Sequence, residues 1–247
     1  MELVGALAAG TLIGAVLGFV GAGGAMLSVP ILMYFFGFDP KSATTAALAI
    51  VFLAALSGVI AKARSAQVLY REALVIVGIG LITNLGFASI AIKLSDLFIT
   101  SGFALILILA AFSMLVDPKF KAETRMPLPL LILISLLIGS ITGIFGIGGG
   151  FLAIPVLVLF FGTPQTKAAG TSLLIITLNS LISFFGHYLI WDTVRWHVPI
   201  FIGISAVVVA HIASHFSAKA SPKILRTSFA IVLLLISIFT LLDTWIF

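Results

Sequence analysis

Read for polarity alone, the chain alternates long apolar runs with short polar or glycine-rich interruptions. Runs near 3–20, 42–61, 73–92 and 97–116, and again near 128–145, 167–187, 197–216 and 224–244, are long enough to cross a bilayer. A crossing helix needs about 20 residues, with a range of roughly 17–25. Two further runs, near 26–37 and 151–162, are too short for an ordinary crossing. They predict short helices or halves of re-entrant hairpins.

Composition leaves little room for an aqueous fold. Of 247 residues, 62% are hydrophobic and 9% charged, and the mean hydropathy is +1.33. A soluble domain carries about 25% Asp, Glu, Lys and Arg, and no single core of this size hides so much apolar surface. The expected fold is therefore an all-α polytopic membrane protein. A formal charge of +5 raises the question of nucleic acid. Yet no basic stripe with aromatic platforms is present, and the cations sit mostly between apolar runs. No nucleic-acid partner is expected; lipid is. With no cysteine in the chain, disulfides, thiolate metal sites and cysteine nucleophiles are excluded. The N-terminus lacks a basic leader region and runs straight into the pattern below, so it reads as mature structure.

A shift of 125 residues superposes two glycine-rich stretches, Gly14–Gly37 on Gly139–Gly162. Matched pairs include Gly14/Gly139, Gly18/Gly143, Gly21/Gly146, Gly23/Gly148, Gly24/Gly149, Pro30/Pro155 and Gly37/Gly162. The register continues without a gap to Gly78/Gly203. A shared glycine and proline skeleton is not what chance similarity of apolar runs produces. The chain thus reads as two tandem repeats of about five helical segments, 1–117 and 128–247, joined by a cytoplasmic linker at 118–127. Duplicated halves are common in transporters.

Charge then bears on topology. If each repeat crosses an odd number of times, one side collects Lys62, Arg64, Arg71, Lys119, Lys121, Arg125, Lys167, Lys219, Lys223 and Arg226, and the other only Lys41, Lys93 and Arg195. An even number abolishes the bias. Because positive charge favours the cytoplasmic side, the repeats are expected to be inverted, with both termini outside a plasma or inner membrane.

The sharpest local signals are Gly21-Ala22-Gly23-Gly24 and Gly146-Ile147-Gly148-Gly149-Gly150. Such runs unwind a helix, and unwound backbone at membrane depth must be buried or line a wet cavity. The short helices that follow, starting near Ala25 and Phe151, would turn their free N–H groups and positive dipole ends into the breaks. Two such ends across a pseudo-two-fold axis suit a small anion. Gly14/Gly18 and Gly139/Gly143 instead have the spacing of close helix packing. No phosphate-loop or dinucleotide glycine motif is present, and no cofactor is expected.

A glycine break, a proline some six residues on, a short apolar helix and then Ala169-Gly170-Thr171-Ser172-Leu173 together resemble the sulfite exporter TauE/SafE family of membrane permeases. The first copy departs from that last element, reading Thr44-Thr45-Ala46-Ala47-Leu48. The resemblance covers nearly the whole chain. It implies a permease for small sulfur-containing anions such as sulfite and sulfonates, or related organic acids.

Other polar residues sit within or near the apolar runs. Thr44, Thr45, Thr171 and Ser172 stand where hydroxyls would meet an anion at the breaks, or would bond back to helix carbonyls. Asn179 lies two turns beyond Ser172 on the same face. Asn84 reaches either the cavity or a neighbouring helix. Lys62 and His187 are equivalent in the repeat register. Lys62 is expected to snorkel at a membrane surface. His187 is a candidate relay for a proton or the anion, or else part of an aromatic band with Tyr188, Trp191 and Trp196. His211 and His215 are four residues apart, but lack the carboxylates or cysteines of a metal site. No metal is expected.

The substrate site read from the sequence is therefore Gly21, Gly23, Gly24, Ala25, Thr45, Gly146, Gly148, Gly149, Gly150, Phe151, Thr171, Ser172 and Asn179, with His187 as relay. No acidic residue falls mid-span, so coupling through an intramembrane carboxylate is not indicated. The leading reading is a secondary anion transporter working by alternating access. A passive anion channel shares the site without the two-state gate. An intramembrane hydrolase built on Ser183 and His187 lacks any Gly-x-Ser-x-Gly or His-Glu-x-x-His element. The sequence leaves open whether the protein is a homo-oligomer.

Overall fold

The computed structural model describes residues 2–115, 127–216 and 222–246, and every regular element in them is helical. In chain order they are α1 (Glu2–Val20), α2 (Gly24–Phe36), α3 (Pro40–Arg64), α4 (Tyr70–Ala91) and α5 (Asp96–Leu115). Then come α6 (Leu128–Phe145), α7 (Gly150–Phe161), α8 (Gln165–Gly186), α9 (His197–Phe216) and α10 (Pro222–Trp245). Eight of these are long and apolar enough to cross a membrane. The exceptions are α2, with 13 residues, and α7, with 12. At 1.5 Å per residue each reaches about 20 Å at most, against about 30 Å of hydrocarbon. The protein is a multi-pass, all-α membrane protein. The linker placed at 118–127 lies outside the described residues except for Pro127, the N-cap of α6. Lys119, Lys121, Arg125 and Lys219, on which the charge count leans, also lie outside them.

The helix ends follow from local chemistry. α3 begins at Pro40, two residues earlier than expected, because Asp39 caps it by accepting from the Ser42 N–H at 3.0 Å and proline suits the first helical position. Both short helices stop at a left-handed glycine, Gly37 (φ 63°) and Gly162 (φ 59°). The next N–H bonds back six residues in each case, Phe38 to Leu32 O and Thr163 to Leu157 O, which closes the helix end. Arg195 adds charge at the first of these ends, donating to Phe36 O and Gly37 O at 2.8 and 3.1 Å and lying over the Phe38 ring. A six-residue 3₁₀ turn at Tyr188–Thr193, not expected from the sequence, follows α8. Trp191 shapes it by stacking on Phe184 and donating to Phe184 O.

Spans α3 and α8 bury most of their surface, whereas the other six bury less than half. They pack on each other at the centre. Around them α1 lies on α9 and α6 on α4; α9 also lies on α3, and α4 on α8; α2 rests on α1 and α3, α7 on α6 and α8; α5 pairs with α10. Exchanging each helix with the one five places along leaves these pairings unchanged. Small residues permit the tightest of them. A Cβ on Gly14 or Gly18 would collide with Ala206 O or Ala213 Cβ of α9. One on Gly139 or Gly143 would collide with Gly80 O or Asn84 O of α4. These four glycines therefore serve close helix packing.

Candidate functional site

The two breaks in the helical frame lie between α1 and α2 and between α6 and α7. At the first, Gly21 takes φ +76° and Gly23, the N-cap of α2, stays in right-handed space at φ −78°. At the second, Gly146, Gly148 and Gly149 have φ of +68°, +72° and +70°. A β-carbon is strained at such angles, so the second break needs glycine for conformation as well as for space. Neither α2 nor α7 has a side chain bonded to its N-cap position. Every residue from Phe145 to Phe151 is buried, so the second break is closed to the surroundings in this conformation.

Each break packs against the opposite half of the chain. Gly21 meets the Ala169 side chain and carbonyl on α8, and Gly146 meets Thr44 on α3. Thr44 and Ala169 are the same position in the 125-residue register. The start of α8 is a junction. Ala169 touches the first break, Gly170 passes so close to Gln67 O that a Cβ would collide with it, and Thr171 accepts from the Leu69 N–H at 3.0 Å. Ser172 donates to Gly150 O at 3.1 Å, at the second break. Four successive residues thus tie α8 to both breaks and to the loop between α3 and α4.

The hydroxyls have definite engagements. Thr171 also donates back to Lys167 O at 2.7 Å. Thr45 Oγ1 lies 2.9 Å from Lys41 O and 2.9 Å from His187 Nδ1. His187 is 1% exposed, and its Nε2 lies 3.0 Å from Gly143 O, one turn before the second break. A carbonyl only accepts, so Nε2 carries a proton. Two arrangements at Nδ1 then satisfy the geometry. With Nδ1 bare, the Thr45 hydroxyl donates to it. With Nδ1 protonated, the ring donates to Thr45 and the hydroxyl turns to Lys41 O. Either state of Nδ1 thus keeps the ring tied to α3 and α6.

Beside it runs a polar chain. Ser183 donates to Asn84 Oδ1, and Asn84 Nδ2 donates to Asn179 O and Oδ1 at 3.1 and 3.3 Å. Asn84 thus fastens α4 to α8. Ser183 and both nitrogens of His187 are engaged elsewhere, so the two do not form a nucleophile–base pair. Lys62, expected to snorkel, is instead 5% exposed and donates to Gln67 Oε1 at 3.1 Å. His211 Nδ1 lies 3.3 Å from Ser57 O, between helices. The sequence reading passed over Thr142 and Ser180. Ser180 Oγ lies 3.3 Å from the place of a Cβ on Gly148, and Thr142 Oγ1 3.0 Å from one on Gly149. Their spacing of about two turns from other polar residues on their helices was the available signal. A cleft of about 360 Å³ between α3, α8 and α9, with Phe52, Phe185 and Trp196 in its wall, is apolar and does not reach this cluster.

Broken short helices, crossed packing onto the opposite half and a buried polar cluster are the features of a membrane permease core. The model of the sulfite exporter TauE/SafE family matches residues 6–240. The chain belongs to this family. A probable membrane transporter protein of Xylella fastidiosa (strain Temecula1) is 25% identical over 253 positions, covering 99% of this chain and 97% of that protein. Another from Bacillus subtilis, YunE, is 25% identical over 264 positions, covering 96% of each. A third, from Methanocaldococcus jannaschii, reaches 40% identity over 98 positions, covering 38% of this chain and 36% of that protein. As a TauE/SafE member this chain is a membrane transporter, and the resemblance carried by its glycine breaks and Ala169–Leu173 element holds across the sequence.

Proposed function

We propose that this transporter moves a small anion, such as sulfite, an organosulfonate or a related organic acid, by alternating access. The observation that carries the reading is the crossed packing: Gly21 of the first half on Ala169 of the second, and Gly146 of the second on Thr44 of the first. In this reading the halves are inverted repeats, as the invariant helix pairings and the cation asymmetry support. Each half then builds the other's wall, so rocking one half against the other opens the site to one side at a time.

The anion sits at Gly21, Gly23, Gly24 and Ala25 and at Gly146, Gly148, Gly149, Gly150 and Phe151, where the N-terminal ends of α2 and α7 favour negative charge. Ser172 positions Gly150, and Thr171 holds the α3–α4 loop. Thr45 and Asn179 place hydrogen-bonding groups beside the second break. His187 takes up or releases a proton through Thr45 as the helices move. The closed second break fits a carrier in an occluded conformation better than an open channel. The protein is placed in the plasma or inner membrane with both termini outside.

Purified protein in liposomes tests this. Saturable uptake of labelled sulfite or methanesulfonate, accelerated by the same anion loaded inside, is the expected result. Flux that stays linear with concentration and shows no counter-exchange would favour a channel. No flux with any anion would remove the proposal.

A further inference from the structure

Three buried polar atoms on α3 and α8 have no hydrogen-bond partner among the described residues: Thr44 Oγ1, Asn179 Nδ2 and Ser180 Oγ. Their residues are 1%, 1% and 0% exposed. Leaving a polar atom unmet in such surroundings is unfavourable, and most native buried polar groups are paired. Two of the three residues touch glycines of one element: Thr44 packs on Gly146 through its Cγ2 methyl and carbonyl, and Ser180 Oγ stands against Gly148; Asn179 directly precedes Ser180 on α8. The Asn179 amide is oriented by its neighbours: Ser183 fixes Asn84 Oδ1, Asn84 Nδ2 holds Asn179 Oδ1, and Asn179 Nδ2 is left as the spare donor. The helix that starts at Gly150 runs 12 residues and carries no side-chain cap. At the first break the equivalent positions are Ala169, Ala54 and Ala55, which offer no side-chain donor.

We infer that Thr44, Asn179 and Ser180 are the side chains that hold the transported anion on the side of the second break, through neutral donors. This rests on the transport reading above and deepens it. Two hydroxyls and an amide N–H₂ around a helix N-terminus suit a small oxyanion with several acceptor oxygens, such as a sulfite or sulfonate head. Because Thr44 comes from the first half and Asn179 and Ser180 from the second, the ligand bridges the halves. Its release lets them part. An uncharged sulfone has the oxygens without the charge, and the helix end gives it no comparable attraction.

The test uses full-length protein in detergent and in liposomes, with sulfite, methanesulfonate and dimethyl sulfone as probes. Ser180→Ala and Thr44→Val each remove an unmet hydroxyl at nearly constant volume, so neither should lower the melting temperature of the ligand-free protein. Each should weaken the stabilisation by sulfite or methanesulfonate and its flux by about tenfold or more, the effect of one hydrogen bond to a charged group. Ser135→Ala is the control. That hydroxyl is also buried and unpartnered, but it lies on α6 well before the break and should leave affinity unchanged. Dimethyl sulfone should bind none of them. Wild-type flux with unchanged affinity in Ser180→Ala and Thr44→Val would overturn the subsite and leave the transport reading standing. Equal binding of the sulfone would overturn the charge requirement. No binding and no flux by the wild type with any probe would overturn both.

Discussion

At the first break one glycine sits at positive φ, and the atoms nearest the glycines are the Ala169 side chain and carbonyl, the Phe229 ring, Ile13 O and Leu17. At the second, three glycines sit at positive φ, and Thr44, Thr142, Ser172 and Ser180 stand among the apolar neighbours. The frames match: an α-helix, a glycine interruption, a short helix interrupted by proline, and a left-handed glycine at its end. The walls do not. One frame thus supports a largely apolar joint and a polar one, and the difference lies in side chains contributed mainly by α3 and α8. A backbone break by itself specifies a place where helices can separate. What binds there depends on the helix laid across it.

The largest way to break the comparison is to fill the second break. Gly149 has φ +70°, with Ile138 Cγ2 2.5 Å and Thr142 Oγ1 3.0 Å from the site of a Cβ. Gly149→Leu should abolish transport while the protein still reaches the membrane. Normal uptake by this variant, measured beside its membrane abundance, would remove the second break from the mechanism.

Next comes the histidine. His187→Ala leaves Gly143 O without its partner and empties a buried side-chain volume. A loss of about 3 kcal/mol is expected from the unmet carbonyl and the cavity together. A melting curve of the purified variant checks it, and a fall of less than a third of that would mean that His187 does not hold α8 to α6.

Much of this architecture is legible from polarity and glycine spacing, because lipid demands long apolar runs and the two breaks that precede the short helices are glycine-rich. All ten helices fall close to their expected limits for that reason. The close packing of Gly14, Gly18, Gly139 and Gly143 was legible in their spacing too. Pairings between distant residues were not. Nothing in a linear pattern says that Thr45 meets His187, that Asn84 fastens to Asn179, or that Lys62 turns inward to Gln67. Thr44 was legible as a hydroxyl beside Thr45 at the start of α3, whereas Ser180 was passed over because a lone hydroxyl in an apolar helix normally bonds back to its own carbonyls, as those of Thr171 and Thr177 do. Their want of a partner is visible only in three dimensions. The 3₁₀ turn at Tyr188–Thr193 was hidden because its tryptophan reads equally well as part of an interfacial aromatic band.

A subtler comparison sets Gly148→Ala against Gly23→Ala, the same position in the two halves. Alanine at Gly148 must adopt φ +72° beside Ile176 Cγ2, whereas at Gly23 it keeps φ −78° and meets the far edge of the Phe229 ring, which must give way without backbone strain. The left-handed penalty is about 1–2 kcal/mol, so Gly148→Ala should melt lower than Gly23→Ala by about that margin. Equal melting temperatures would mean that ring displacement costs as much as backbone strain, and the two breaks would be equally rigid.

The smallest effect is expected at the end of the first short helix, where the halves differ again. Arg195 donates to the last carbonyls of α2, and the equivalent position in the first half is Tyr70. Because Arg195 is exposed, water replaces most of what Arg195→Ala removes. The net loss should be about 1 kcal/mol or less, as for other charges at helix C-terminal ends, and added salt should shrink it. Melting curves of wild type and variant at low and high ionic strength measure this directly. If the difference persists undiminished in high salt, the contribution comes from packing of the guanidinium on the Phe38 ring rather than from its charge at the helix end, and the end of α2 is held by shape, as the end of α7 is by its Gly162 turn and the Thr163 bond to Leu157 O.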